Sequence, residues 1–366
     1  MLDGITVLDL ASVGPAARAS RWLADYGATV IKVGPVPARE GTQIVPPTHS
    51  YSAHRGLQRI LLDLKAPAGV EIFHRMAEQA RVVIESFRPG VVDRLGIGYE
   101  AVRARNPLIV YCSTSGYGQS GPHAQWAGHD LNYLAVSGYL AASGRQADGR
   151  PPIPGATVAD SAGGGMHAVI AILAALVRGE GAWLDVSVAD GMLALMALQV
   201  DEYLAVGTVP DNILTGRYAC YGVYPTADAK WLTVAAIEPR FWANLCKAVG
   251  LAEWIDHQLD DAVQDRIRGD LDRVFRTRTR DDWVAELAPA DACVAPVLEI
   301  AEVPTDAQFL ARDSITTNGQ IRQVSAVLAG MGPVAPIRDP GTTDTDAILE
   351  SLGIDVAPLR QQGVVA

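Results

Sequence analysis

The first third of the chain constrains the fold most, because short apolar runs alternate there with amphipathic stretches. Ile5-Thr6-Val7-Leu8-Asp9-Leu10 opens the sequence, and further strand-like runs lie at residues 29–33, 60–64, 82–87 and 108–112. Pro15 stands where a helix tolerates proline, in its first turn, and Gly27 stands where a helix stops, which predicts a helix ending near Tyr26. Val70, Phe73, Met76 and Ala77 share one face of a predicted helix over 68–79. Short strands separated by helices predict βαβ units and a parallel sheet, an α/β fold with a large Rossmann-like domain. No Gly-x-Gly-x-x-Gly follows the first strand, so the dinucleotide fingerprint is missing.

Beyond that region the spacing predicts apolar helices over 163–177 and 189–206, with a strand at 182–188 between them. A Gly- and Tyr-rich crossover at 214–228 leads to a strand at 231–236 and a helix at 239–249. Ile267, Leu271, Val274 and Phe275 fall at i, i+4, i+7 and i+8 and predict an amphipathic helix over 263–276. A further strand is predicted at 294–298. After about residue 304 the chain is loop-rich, with Pro333, Pro336 and Pro340, and it carries a short helix at 344–352. A chain of 366 residues has room for a large domain and a smaller α/β partner.

A formal net charge of −11 argues against nucleic acid as a partner, since that needs a basic footprint. Charge is uneven: residues 55–105 hold nine Lys/Arg against six Asp/Glu, which suits a phosphorylated small ligand as well as ordinary solvated helix faces. The four cysteines, Cys112, Cys220, Cys246 and Cys293, have no CxxC or metal spacing and read as reduced thiols, with no metal site. No signal peptide is visible, and the alanine-rich stretch at 168–177 is too short to span a membrane. A soluble, cytoplasmic protein without a membrane partner is the expectation.

Three segments carry chemistry. Gly128-His129-Asp130-Leu131-Asn132-Tyr133 follows the Gly/Ser-rich loop Ser113 to Pro122. Ala159-Asp160-Ser161-Ala162-Gly163-Gly164-Gly165 comes next, and Ile237-Glu238-Pro239 lies further on. An imidazole takes and returns protons near neutrality with little tuning, so His129 is a candidate base. Read alone, it serves equally as a partly buried histidine bonded to a backbone carbonyl. Asp160 can be a helix N-cap and Glu238 a helix start before its proline, while Asp130 can simply fix the local turn.

Taken together, the segments resemble the family III CoA-transferase superfamily (CaiB/BaiF-like), and within it the α-methylacyl-CoA racemases. The resemblance also rests on Leu62-Asp63-Leu64-Lys65, Phe87-Arg88-Pro89-Gly90-Val91, Asp93-Arg94-Leu95-Gly96, Leu184-Asp185-Val186-Ser187 and Asp291-Ala292-Cys293-Val294. His129 in its Gly-His-Asp-Leu-Asn-Tyr setting and the Glu238-Pro239 pair point to the racemase branch. The resemblance implies that His129 and Asp160 exchange the α-proton of a 2-methylacyl thioester on opposite faces, with Glu238 orienting the imidazole. Backbone N–H groups at Gly163–Gly165 are a candidate enolate-oxygen site.

Contacts to CoA are implied for Leu62, Asp63, Leu64, Lys65, Arg88 and Arg94, and for Gly128, Asp130, Leu131, Asn132 and Tyr133. CoA is then part of the substrate and no separate cofactor is needed. The implied architecture is an interlocked homodimer. Residues 1–189 form the large domain, 190–225 a linker, 226–309 the small domain, 310–330 a second linker, and 331–366 return to the large domain. Two departures stand out: the second strand ends Lys32-Val33-Gly34-Pro35 without the usual following Arg-Pro, the next arginine being Arg39, and Arg217-Tyr218-Ala219-Cys220 replaces Gly-Ala-Pro-Phe/Tyr in the crossover. A CoA-transferase using Asp160 as nucleophile is the alternative enzyme. A non-catalytic acyl-CoA binder is a third reading, and it leaves the acid–base set without a purpose.

Overall fold

A computed structural model describes residues 1–11, 13–37, 55–318, 321–326, 328, 334–336, 338–339 and 341–366. Arg39, Pro333, Pro340 and most of the Pro-rich stretch at 34–53 lie outside the described residues. The chain divides into two compact units, Met1–Ala197 with Gln308–Ala366, and Leu198–Ala307.

The first unit is built on β1 (Thr6–Asp9), β2 (Thr29–Gly34), β3 (Leu57–Leu61), β4 (Val82–Glu85), β5 (Val110–Ser115) and β6 (Ala182–Ser187). They form one sheet in the order β3-β2-β1-β4-β5-β6, and every neighbouring pair is parallel. This is the doubly wound α/β arrangement anticipated from the alternation, with its switch point between β1 and β4. β4 is buried at every position, as a central parallel strand covered on both faces must be.

Helix α1 (Gly14–Asp25) carries Pro15 in its first turn and buries Ala16, Ala17, Ala19, Ser20 and Leu23. Helix α2 (Pro67–Gln79) starts on Pro67 and buries Ile72, Phe73, Met76 and Ala77. The short helices α3 (Val91–Arg94) and α4 (Tyr99–Arg103) lead into β5, and α5 (Asp130–Val136) and α6 (Tyr139–Ala142) follow it. A π-helical segment, Ala159–Met166, runs straight into α7 (His167–Arg178). The helix anticipated at 163–177 therefore begins earlier; it runs for 20 continuous residues, and an 18-residue stretch of it, with a mean hydropathy of 1.5, is long and apolar enough to cross a membrane. Length and composition alone do not assign it there, because a core helix passes the same test.

The glycine run explains how that helix packs. A Cβ on Gly164 would stand 2.5 Å from Pro15 Cβ, and one on Gly191 would stand 1.9 Å from the Gly163 carbonyl oxygen. The helix thus approaches α1 and α8 (Val188–Leu195) more closely than any side chain allows. The helix anticipated over 189–206 is broken at Met196, so that α9 (Ala197–Val206) is separate from α8. At the C-terminus, helices Thr345–Ser351 and Val356–Gln361 put Ile348, Leu349, Val364 and Val365 in one core cluster with Leu8, Phe73 and Tyr111.

The second unit holds β7 (Tyr221–Pro225), β8 (Trp231–Ala235) and β9 (Val294–Pro296), an antiparallel sheet in that order. Its helices are α10 (Pro239–Ala248), α11 (Gln264–Phe275) and α12 (Arg280–Leu287). Trp242, Leu245, Ile267, Leu271, Phe275 and Trp283 form its core. Trp242 Nε1 donates to the Trp254 carbonyl at 2.9 Å, which satisfies the one polar atom that ring buries.

Candidate active site

Because the strands of the first unit are parallel, the loops that leave β3, β4 and β5 emerge from one edge of the sheet. In doubly wound folds that edge binds ligands. The β5 loop reaches α5, where His129 is the N-cap, exposed, with an extended backbone at φ −131° and ψ 177°. It is not a buried histidine. Asn132 Oδ1 accepts the His129 N–H at 3.0 Å, and the His129 carbonyl accepts the Asn132 N–H at 2.8 Å, so the turn is closed from both sides.

Asp160 is the second residue of the helix that begins at Ala159, and the N-cap is Val158. Asp160 therefore does not cap, and its carboxylate sits in the first turn, where the helix dipole favours negative charge. Its N–H donates to Asp130 Oδ1 at 2.8 Å. Asp130 is thus the link between the two candidate bases. Burial holds the Asp160 carboxyl above its ordinary value, the Asp130 charge adds to this, and Arg18 and His129 oppose it. A carboxyl tuned upwards gives and takes protons closer to neutrality. Arg18, which no local motif marks, reaches the same place and donates from Nη2 to Thr157 Oγ1 at 2.7 Å.

Tyr133 supports the loop from beneath. It is buried, its hydroxyl donates to the Gly128 carbonyl at 2.6 Å, and burial with nearby Asp160 pushes its phenol up to about 12. Gly116 and Gly128 make room for the ring: a Cβ on either would come within 2.4 Å and 2.8 Å of it. Leu131 and Asn132 are exposed beside it.

Several implied ligand contacts take other places. Leu62 is 1% exposed in the core cluster and bridges to Val365, so its side chain anchors the end of β3 instead of facing a ligand. Asp63 Oδ1 accepts the Lys65 N–H at 2.9 Å and shapes that turn, while Leu64 is half-buried. Lys65, Arg88 and Arg94 are exposed, after β3, after β4 and on α3. Gly163–Gly165 lie in the body of their helix, buried against α1 and α8, and not at its start. They serve close packing, so they are not an enolate-oxygen site.

Glu85, at the end of β4 beside the switch point, drew no attention in the sequence. It is 1% exposed, and burial pushes its carboxyl up to about 7. Its Oε2 accepts the Phe87 N–H at 2.7 Å and so fixes the loop that carries Arg88. Glu238 belongs to the second unit, where it is the exposed N-cap of α10 ahead of Pro239.

The chain is 33% identical over 373 residues to alpha-methylacyl-CoA racemase of Homo sapiens, covering 98% of this chain and 95% of the relative. It is 30% identical over 362 residues to acetyl-CoA:oxalate CoA-transferase of Acetobacter aceti, covering 94% and 92%. The crystal structure of a CAIB/BAIF family protein from Brucella suis superposes with a TM-score of 0.78 at 26% identity, covering 96% of this chain and 99% of that one. Residues 2–339 match CoA-transferase family III, and the chain belongs to that family.

Proposed function

We propose that the protein is a racemase of 2-methylacyl-CoA thioesters. The observation that carries this reading is the Asp130 bridge, which ties the Asp160 segment to the turn presenting His129. One group removes the C2 proton, leaving an enolate whose charge rests on the thioester oxygen. The other delivers a proton to the opposite face of C2, and each ends in the protonation state that the reverse reaction needs. The cycle balances with proton transfer alone, so the reaction as written calls on no metal or redox group.

Exposed Lys65, Arg88 and Arg94 are the proposed contacts to the CoA phosphates, and Glu238 is proposed as a third catalytic group, a carboxylate. The apolar outer face of α7 and its π-helical lead is proposed to be covered by a second copy of the chain. The four free thiols, three of them buried, suit the reducing cytoplasm.

Incubating one epimer of a 2-methylacyl-CoA with the protein in D₂O, with no acceptor acid, tests the reading. Deuterium at C2 and equilibration of the epimers are the expected result. The similarity to CoA-transferases keeps one competitor in view, in which Asp160 attacks the thioester carbonyl and CoA leaves. CoA transfer to a free acid without any C2 exchange would establish that reaction instead.

A further inference from the structure

We propose that Gln258, remote in sequence from every motif above, is a positioning residue that sets where Glu238 presents its carboxylate. This rests on the racemase reading for its catalytic consequence. The backbone between β8 and α10 leaves the sheet at Ala235 and enters the helix at Pro239, so its carbonyls need partners outside both elements. Every one is accounted for. The Ala235 carbonyl accepts the Ile237 N–H at 3.0 Å, and the Glu238 carbonyl accepts the Trp242 N–H at 3.1 Å. The two between them, on Ala236 and Ile237, are both taken by Gln258 Nε2, at 3.0 and 2.7 Å. One side-chain amide therefore holds both peptide groups immediately before Glu238.

Gln258 is itself held. It is 9% exposed. Its backbone carbonyl accepts from Gln264 Nε2 at 3.2 Å, and the same Nε2 reaches the Asp260 carbonyl at 2.9 Å. Gln264 Oε1 in turn accepts the Ala219 N–H at 2.8 Å. Two buried glutamines thus connect the Ala219-Cys220 crossover to the turn that carries Glu238. Glu238 itself is exposed and its side chain makes no cap bond in its own helix, so the direction of the carboxylate is inherited from this turn. A residue that works in this way touches no substrate, and its removal acts on turnover through Glu238 alone.

The test uses the full chain with Gln258→Met, which removes both donors at similar volume, and Gln258→Glu, which keeps the shape and turns a carboxylate towards the two carbonyls. The second keeps the question open to answer if the first does not fold. The expected result is a fall in kcat for C2 exchange of up to about a hundredfold, the scale for misplacing a group by about an ångström, with KM for the thioester unchanged. Combined with Glu238→Gln, either change adds nothing further, whereas a merely structural role would multiply the losses. Crystal structures of the variants are expected to show the Ala236–Glu238 turn displaced. Unchanged kcat in both variants, multiplicative losses, or an unmoved turn overturns the proposal. If the wild-type protein shows no C2 exchange, the racemase reading fails, and the turn in the variant crystals still decides whether Gln258 sets Glu238.

Discussion

Asp130 sits between the two candidate bases, and its placement decides how their loss should look. Its carboxylate accepts the Asp160 N–H while its own residue opens α5 behind His129, so the backbone of Asp160 is tied to the turn that presents His129. His129→Ala and Asp160→Ala are each expected to reduce racemisation by roughly 10² or more, the scale of a lost general base. The double variant should be little worse than either single one, because groups that act together are not additive. Epimer equilibration followed by C2 exchange measures this, and near wild-type racemisation by His129→Ala would remove the two-base assignment.

Glu85 gives a prediction of a different kind at the same scale. Its carboxyl titrates near 7 when folded and near the ordinary 4.5 when unfolded, so the folded state holds the proton more tightly. The group costs nothing below the unfolded value. Its cost grows as pH rises through the window between the two and is complete above about 7. At about 1.4 kcal/mol per unit, that cost is on the order of 3 kcal/mol. Glu85→Gln should therefore raise stability at pH 8, leave it nearly unchanged at pH 4, and flatten the decline between. Urea unfolding across that range checks the sign, and a Gln variant less stable at pH 8 would show that the charge is compensated.

Among elements, the helix from Ala159 to Arg178 places Asp160, and its glycines decide how closely it can lie on its neighbours. Gly→Ala inside a helix gains up to about 1 kcal/mol from propensity alone, so the surroundings decide the sign. At Gly164 a Cβ meets Pro15 Cβ at 2.5 Å and Val188 Cγ2 at 2.9 Å, while at Gly269 on α11 nothing lies within 4 Å. Gly164→Ala is expected to destabilise by about 1–3 kcal/mol, the usual cost of overpacking, and to lower activity by shifting Asp160. Gly269→Ala should stabilise by about 0.5–1 kcal/mol. Denaturant midpoints with unchanged m-values would confirm both, and a stabilising Gly164→Ala would show that the helices have room to part.

The same helix shows where the sequence was legible. Strand positions in the first unit followed from apolar runs and Gly/Pro punctuation, because those signals are local. Its start four residues earlier than the periodicity implied did not, because Val158 and Ala159 carry no capping signal and Asp160 draws its partner from Asp130, 30 residues back. The glycines looked like donors to a ligand because a Gly-rich run before a helix has two uses. Only the neighbouring Pro15 and Gly191 decide between them.

For the molecule as a whole, the residues that sequence reasoning missed share one property: their partners are distant in the chain. Arg18 meets Thr157, Gln258 meets Ile237, and Glu85 becomes unusual only once β4 is central in the sheet. His129, Asp160 and Glu238 stood out because each lies in a short segment with a composition of its own. The surface of the long helix carries an apolar face as well. Gly163–Gly165, Ala168, Val169, Ile172 and Ala175 bury one side of the long helix, whereas Met166, Ile170 and Val177 remain 44%, 65% and 90% exposed. Apolar side chains gathered on one exposed helix face are a candidate surface for another molecule. The homodimer reading assigns it to a second copy, and Ile170→Lys with Val177→Lys is the direct test. Lysine at both positions leaves the buried face intact, so the fold should persist while the dimer weakens. Analytical ultracentrifugation over a range of concentrations should show a dimer for the wild-type protein and a shift towards monomer for the double variant. A wild-type monomer would refute the assignment, and co-flotation of that monomer with lipid vesicles would give the face to a membrane instead.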